Sequence, residues 1–103
     1  MLTIDDALTH LGYDEVDGAI TRKVTAELDE AEAYLQGAVG MDVFELLPGD
    51  PRVNILLKAY LDDLHDDRGT ISAKAGNAKR ELIHSTETQL KMELVRAREE
   101  ARA

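Results

Sequence analysis

Apolar residues in the first forty positions recur at helical spacing. Val16, Ile20, Val24, Leu28, Ala31, Leu35 and Val39 follow one another at offsets of three or four. That places them on one stripe of an α-helix, whereas a half-buried strand would alternate every second residue. The helix is predicted to start between Asp14 and Asp17, either of which can accept hydrogen bonds from first-turn N–H groups. Gly37 and Gly40 mark where it frays or ends. Glu27, Asp29, Glu30 and Glu32 are read as lying off the stripe, facing water or a partner. Ahead of this helix, Thr3 with Asp6 three residues on has the form of a capping box. Ala7, Leu8 and Leu11 then give a short apolar face before Gly12. Thr3–Leu11 is therefore a short helix, and the acidic Tyr13–Gly18 stretch connects the two.

The second half begins with Met41–Leu47, apolar but short and outside the helical stretches. A turn at Leu47–Pro48–Gly49–Asp50–Pro51 leads into the next helix, with Asp50 as N-cap and Pro51 at the first position, where its missing N–H costs nothing. This helix is predicted to run to about Asp67. Val53, Leu56, Leu57, Tyr60, Leu61 and Leu64 form a wide stripe, which Ile55 and Ala59 extend. A helix apolar over so much of its circumference belongs in the centre of a bundle. Arg68–Asn77 reads as a loop with Gly69 and Gly76 as breakers. A last helix follows from Ala78 to near the C-terminus, ~24 residues or ~36 Å. Ile83, Leu90, Leu94, Ala97 and Ala101 line one of its faces. The expectation is an all-α fold: a single domain over residues 1–103, a small bundle of about four helices with its core in 3–77. The helix over 78–103 is longer than one small domain covers, so its distal half is expected to fray or to pack on another subunit.

Composition agrees with this reading. Leu, Ile, Val and Phe total 26 of 103 residues, enough for a core, while 7 Gly, 2 Pro and 4 aromatics suit strands poorly. Charge adds a constraint. The formal net charge is −9, with −11 in residues 1–69 and +2 in residues 70–103. Nucleic-acid binders gain affinity by neutralising phosphates, so sequence-specific nucleic-acid binding is not expected, and anionic membranes are disfavoured for the same reason. The unequal halves suggest self-association between unlike faces. No Cys is present, and no apolar run approaches a membrane span. Met1 leads into Leu2–Thr3–Ile4–Asp5 without a basic leader, so the expectation is an intracellular protein or one assembled from an intracellular pool.

Catalytic patterns are missing from the sequence: neither GxGxxG, GK[ST] nor GxSxG occurs, and Ser72 and Ser85 have no base beside them in sequence. His10, His65 and His84 fall on three segments and read as structural or solvated. The densest polar cluster is Asp62, Asp63, His65, Asp66 and Asp67, closed by Arg68. Asp62 with Asp66, and Asp63 with Asp67, share helix faces at a spacing that could hold Mg²⁺ or Ca²⁺. Like charges at that spacing also occur on ordinary wet faces, so no metal, cofactor or enzymatic activity is expected. In the last helix Glu87 and Lys91 stand four apart, and Glu93–Arg96 and Glu99–Arg102 three apart. These can pair within the helix or with a neighbouring subunit.

The ordered features resemble a known family. Leu8–Thr9–His10–Leu11–Gly12 is followed by the acidic step Asp14–Glu15–Val16–Asp17–Gly18. A helix ending Ala31–Glu32–Ala33–Tyr34–Leu35 comes next, then Lys58–Ala59–Tyr60–Leu61–Asp62–Asp63 closed by Asp66–Asp67–Arg68–Gly69, and finally Gln89–Leu90–Lys91–Met92–Glu93–Leu94. Together these look like the head–tail connector (adaptor) proteins of tailed bacteriophages and their prophage relatives. The resemblance implies a small all-α virion component that forms a homo-oligomeric ring beneath the portal vertex. Such a ring joins the DNA-filled head to the stopper or tail-completion protein and lets DNA pass. It also implies localisation in the virion neck after assembly in the bacterial cytoplasm. On this analogy the last helix docks on the portal and on neighbouring subunits. Glu87, Lys91, Glu93, Arg96, Arg98, Glu99 and Arg102 are the candidate contact residues, and Asp62, Asp63, Asp66 and Asp67 are candidates for an acidic rim or channel surface. Two other readings compete: an acidic DNA-mimicking or inhibitory binding module, and an Mg²⁺-dependent enzyme built on the same aspartates.

Overall fold

A computed structural model describes residues 1–65 and 73–103, with side chains described outside 73–77. Its five helices are α1 (Ile4–His10), α2 (Gly18–Val39), α3 (Val43–Leu46), α4 (Pro51–His65) and α5 (Ala73–Arg102). No strand occurs among the described residues. The fold is all-α, a small bundle with a long C-terminal helix.

The starts and stops follow from local chemistry. Thr3 caps α1 by accepting from the Asp6 N–H at 3.1 Å, and the Asp6 carboxylate accepts from the Thr3 N–H at 3.2 Å, closing the capping box. The helix ends in a Schellman turn: Gly12 N–H donates to Thr9 C=O and Tyr13 N–H to Leu8 C=O. Gly12 takes φ 86°, which a side chain would resist. Asp17 caps α2 by accepting from the Ile20 N–H at 2.8 Å. Asp50 accepts from the Arg52 N–H at the start of α4, and its carboxylate is also held by the Arg52 guanidinium at 2.7 and 2.9 Å.

The core lies between α2 and α4, with α1 across one end and α5 laid along both. Leu35, Leu56, Leu57, Leu61, Leu90 and Leu94 are fully buried, together with Val24, Val43 and Val53. Full burial of such side chains is worth about 1.5–3 kcal/mol each, so this cluster dominates folding. The chain has a radius of gyration of 14.7 Å and extents of 47 × 33 × 18 Å. A compact 100-residue domain would have about 13 Å. The excess follows from α5: thirty residues at 1.5 Å each span about 45 Å, nearly the full length.

Six expectations need correction. The core is not confined to residues 3–77: Leu2, Leu90 and Leu94 belong to it, so the distal half of the last helix packs on its own bundle rather than fraying. Ile55 and Leu64, assigned to the apolar stripe of α4, are exposed. Val16 precedes the helix and is exposed, so the stripe of α2 begins at the partly buried Ile20. Glu27 is buried rather than facing water. Met41–Leu47 contains the one-turn α3, whose Val43 closes the core beside the turn at Gly40. The last helix starts at Ala73, not Ala78: Ala73, Lys74, Ala75 and Ala78 are strong helix formers, and one glycine among them costs only about 1 kcal/mol. Residues 66–72, including the end assigned to the preceding helix at Asp67, lie outside the described residues.

Candidate interaction surface

The inner face of α5 is fastened along its length. Leu90 and Leu94 are buried and Ile83 is half-buried. At its N-terminal end Lys79 Nζ lies 3.1 Å from Asp63. In the middle Tyr60 Oη donates to Glu87 Oε2 at 2.5 Å. Burial, reinforced by the Glu87 carboxylate, pushes the Tyr60 phenol far above its ordinary range, so it remains a proton donor. Near the C-terminus Arg98 donates from Nε and Nη2 to both oxygens of Asp42, at 2.8 and 2.7 Å. This bidentate grip holds the Asp42 carboxyl below the usual range. Gly40 lets α5 come so close: a Cβ there would lie 2.6 Å from Leu94 Cδ2 and 2.7 Å from Arg98 Nη2.

The outer faces of α5 are different. Met92 is 69% exposed and Val95 51%, and Leu82 is exposed as well. Lys91, Arg96, Glu99 and Arg102 are exposed on the same helix. Beside its N-terminal half, α2, α4 and α5 enclose a groove of about 810 Å³. Tyr34, Tyr60, Leu64 and Ile83 make its apolar surface, and Tyr34 and Tyr60 meet edge to face with ring centroids 4.7 Å apart. Glu30 and Asp63 stand along the α2 and α4 walls, with Lys79, Arg80 and His84 along α5. Tyr34 remains 61% exposed.

The sequence-derived contact residues thus divide into two groups. Glu87 and Arg98 are committed inside the chain. Glu93 lies 3.9 Å from Arg96 and 4.0 Å from Arg52, bridging its own helix to α4. Lys91, Arg96, Glu99 and Arg102 face solvent. The aspartate cluster is dispersed by its neighbours: Asp62 accepts from or pairs with His10 Nε2 at 2.8 Å on α1, while Asp63 turns to Lys79 on α5. Asp66 and Asp67 lie outside the described residues. Among the described residues no group of three His, Asp or Glu side chains is placed to hold a metal ion.

One network escaped the sequence reading. His65 Nδ1 lies 2.8 Å from Glu27 Oε2, and its Nε2 lies 3.0 Å from Tyr13 Oη. A carboxylate only accepts, so Nδ1 carries the proton, and in the neutral ring Nε2 accepts from the phenol. Tyr13 also packs edge-on against the imidazole, at 5.6 Å and 87°. The chain Tyr13–His65–Glu27 ties the α1–α2 connection to α4 and α2. A signal for it existed: Glu27 stands three residues after Val24 and four before Ala31, within the buried stripe.

Among the described residues no helix is long and apolar enough to cross a membrane. Comparison with known proteins finds no matching family model, curated protein or solved structure.

Proposed function

We propose that this chain is a structural assembly subunit of the head–tail connector type, forming a homo-oligomeric ring between the portal and the stopper or tail of a phage particle. The observation that carries the reading is the two-sidedness of α5. Its inner face is locked to the bundle by Leu90, Leu94 and Arg98, while Met92, Val95, Lys91, Arg96, Glu99 and Arg102 stand outward. A helix held this rigidly offers a preorganised docking face, which lowers the ordering cost of association. The charge halves, −11 and +2, favour unlike surfaces meeting, the arrangement that builds a ring from identical copies. In this reading the remaining acidic surface faces the channel, where like charge keeps passing DNA from sticking. The DNA-mimic alternative draws less support, because Asp42, Asp50, Asp62 and Asp63 are occupied by cationic or histidine partners of the same chain.

The test is to mix the purified chain with a portal protein of the same phage or prophage. Native mass spectrometry and negative-stain imaging of the mixture are then compared with the chain alone over a concentration series. Ring-shaped oligomers, or portal rings decorated by multiple copies, are expected. A chain that stays monomeric at every concentration and never associates with the portal contradicts the proposal.

A further inference from the structure

We infer that the subunit contact seats the Met92–Val95 shoulder of α5 from one copy in the Tyr34-walled groove between α2, α4 and α5 of the next. This rests on the proposed function, and it names which two surfaces meet.

Three observations favour a second copy as the occupant. The first is geometric. At 100° per residue, the α5 side chains that line the groove (Lys79, Arg80, Ile83, His84 and Glu87) are centred about 115° around the helix axis from Met92 and Val95, and about 16 Å along it. Knob and socket therefore point in different directions on one rigid rod. A copy cannot seat its own Met92–Val95 shoulder in its own groove, and each contact leaves a free knob and a free socket for further copies. That is a heterologous, head-to-tail contact. The second is chemical. Met92 and Val95 are the exposed apolar residues of the distal half of α5, and Met is unbranched enough to fit an irregular slot. The groove presents Tyr34 and Leu64, also exposed, around the buried Tyr60. The third is electrostatic. Lys91 and Arg102 lie on one edge of the shoulder, about 20° apart in helical projection. The α2 wall of the groove carries Glu30, with Asp29 beside it, both exposed.

The scale of the contact sets its strength. A stable interface buries about 800 Å² per partner, and two side chains in a groove supply only part of that. Each contact is weak alone, so assembly depends on high local concentration, ring closure or a platform such as the portal.

Native cysteines are absent, so cross-linking can test the register directly. Tyr34→Cys and Met92→Cys chains, one carrying a mass tag, are mixed at high concentration and oxidised. An Asp5→Cys chain mixed with each serves as an exposed control, and circular dichroism checks that all variants are folded. Links between positions 34 and 92 should exceed 34–34, 92–92 and control links several-fold, and a chain carrying both substitutions should give a ladder beyond the dimer. Charge reversal by Lys91→Glu with Arg102→Glu should cut the 34–92 yield several-fold, and Asp29→Lys with Glu30→Lys on the opposite copy should restore it. A 34–92 yield no higher than the controls, or a dominant 92–92 link, overturns the inference. If oligomers or portal complexes form without the 34–92 link, the inference falls while the proposed function stands. If neither forms, both fall.

Discussion

Gly40 shows how one missing side chain sets the geometry of the whole C-terminal half. It combines φ 156° with a space already taken by Leu94 and Arg98. Gly40→Ala should therefore destabilise the fold by about 2 kcal/mol or more, through both backbone strain and overpacking, measured as a lower urea midpoint at unchanged slope. Tyr13 and His65 offer a finer test. Tyr13→Phe removes one hydrogen bond from the His65 network and should cost about 1 kcal/mol. A double-mutant cycle with Glu27→Gln should show coupling, because the two residues grip opposite sides of one imidazole. Much at this scale was legible in the sequence. Thr3, Asp6, Asp17 and Asp50 cap helices as their residue types require, since a cap acts over three residues and needs no tertiary information. Glu27 was not legible as a buried group. Its charge argued for solvent, and the partner that makes burial tolerable, His65, stands thirty-eight residues away.

The helices themselves obey the apolar period, and the stripes of α2 and α4 fall largely on the core, but Ile55 and Leu64, which the spacing adds to the α4 stripe, stand exposed because no neighbouring helix covers that flank. The other exceptions are the ends. Val16 matches the period but precedes the Asp17 cap, and α3 is too short for any periodicity to register. The groove was likewise hidden, because its walls come from three helices whose mutual placement no local pattern encodes. Within α5 the two faces should respond oppositely to truncation. Leu94→Ala, at a fully buried position, should cost about 2–5 kcal/mol of stability. Met92→Ala, at an exposed one, should change stability by less than about 0.5 kcal/mol and, if the proposed subunit contact forms, weaken it instead. Acid should also loosen these junctions. Asp6 is held below the ordinary carboxylate range by hydrogen bonds from the Thr3 backbone and hydroxyl, Asp42 by Arg98 and Asp50 by Arg52. A carboxyl whose folded pKa is depressed contributes stability above its unfolded value, about 3.9, and loses it as pH falls toward the folded value. Glu32 runs the other way: burial, with Asp29 nearby, raises its pKa, so its ionisation opposes folding at neutral pH. Three depressed groups against one raised group predict a lower urea midpoint at pH 3 than at pH 7. Asp42→Asn should narrow that difference.

For the molecule as a whole, the sequence makes an all-α domain and a charge imbalance evident, and the imbalance becomes a surface property once the helices are placed. If unlike faces drive association, raising the salt from 0.05 to about 0.5 M shortens the Debye length severalfold and should weaken self-association, read as a fall in sedimentation coefficient at fixed protein concentration. Stability, set by the apolar core, should change far less over the same range. The length of α5 has a mechanical meaning as well. Clamped by Asp63 at one end and Asp42 near the other, with Leu90 between, the rod works as a beam over a fulcrum. A tilt of about 5° about Leu90 would displace Arg102 by roughly 1.5 Å, given 1.5 Å of rise per residue. Packed helices slide by steps of that size without unfolding. If the chain assembles as proposed, a push at one end of α5 would therefore be felt at the other, so that neighbouring copies seated along the beam would register each other's strain.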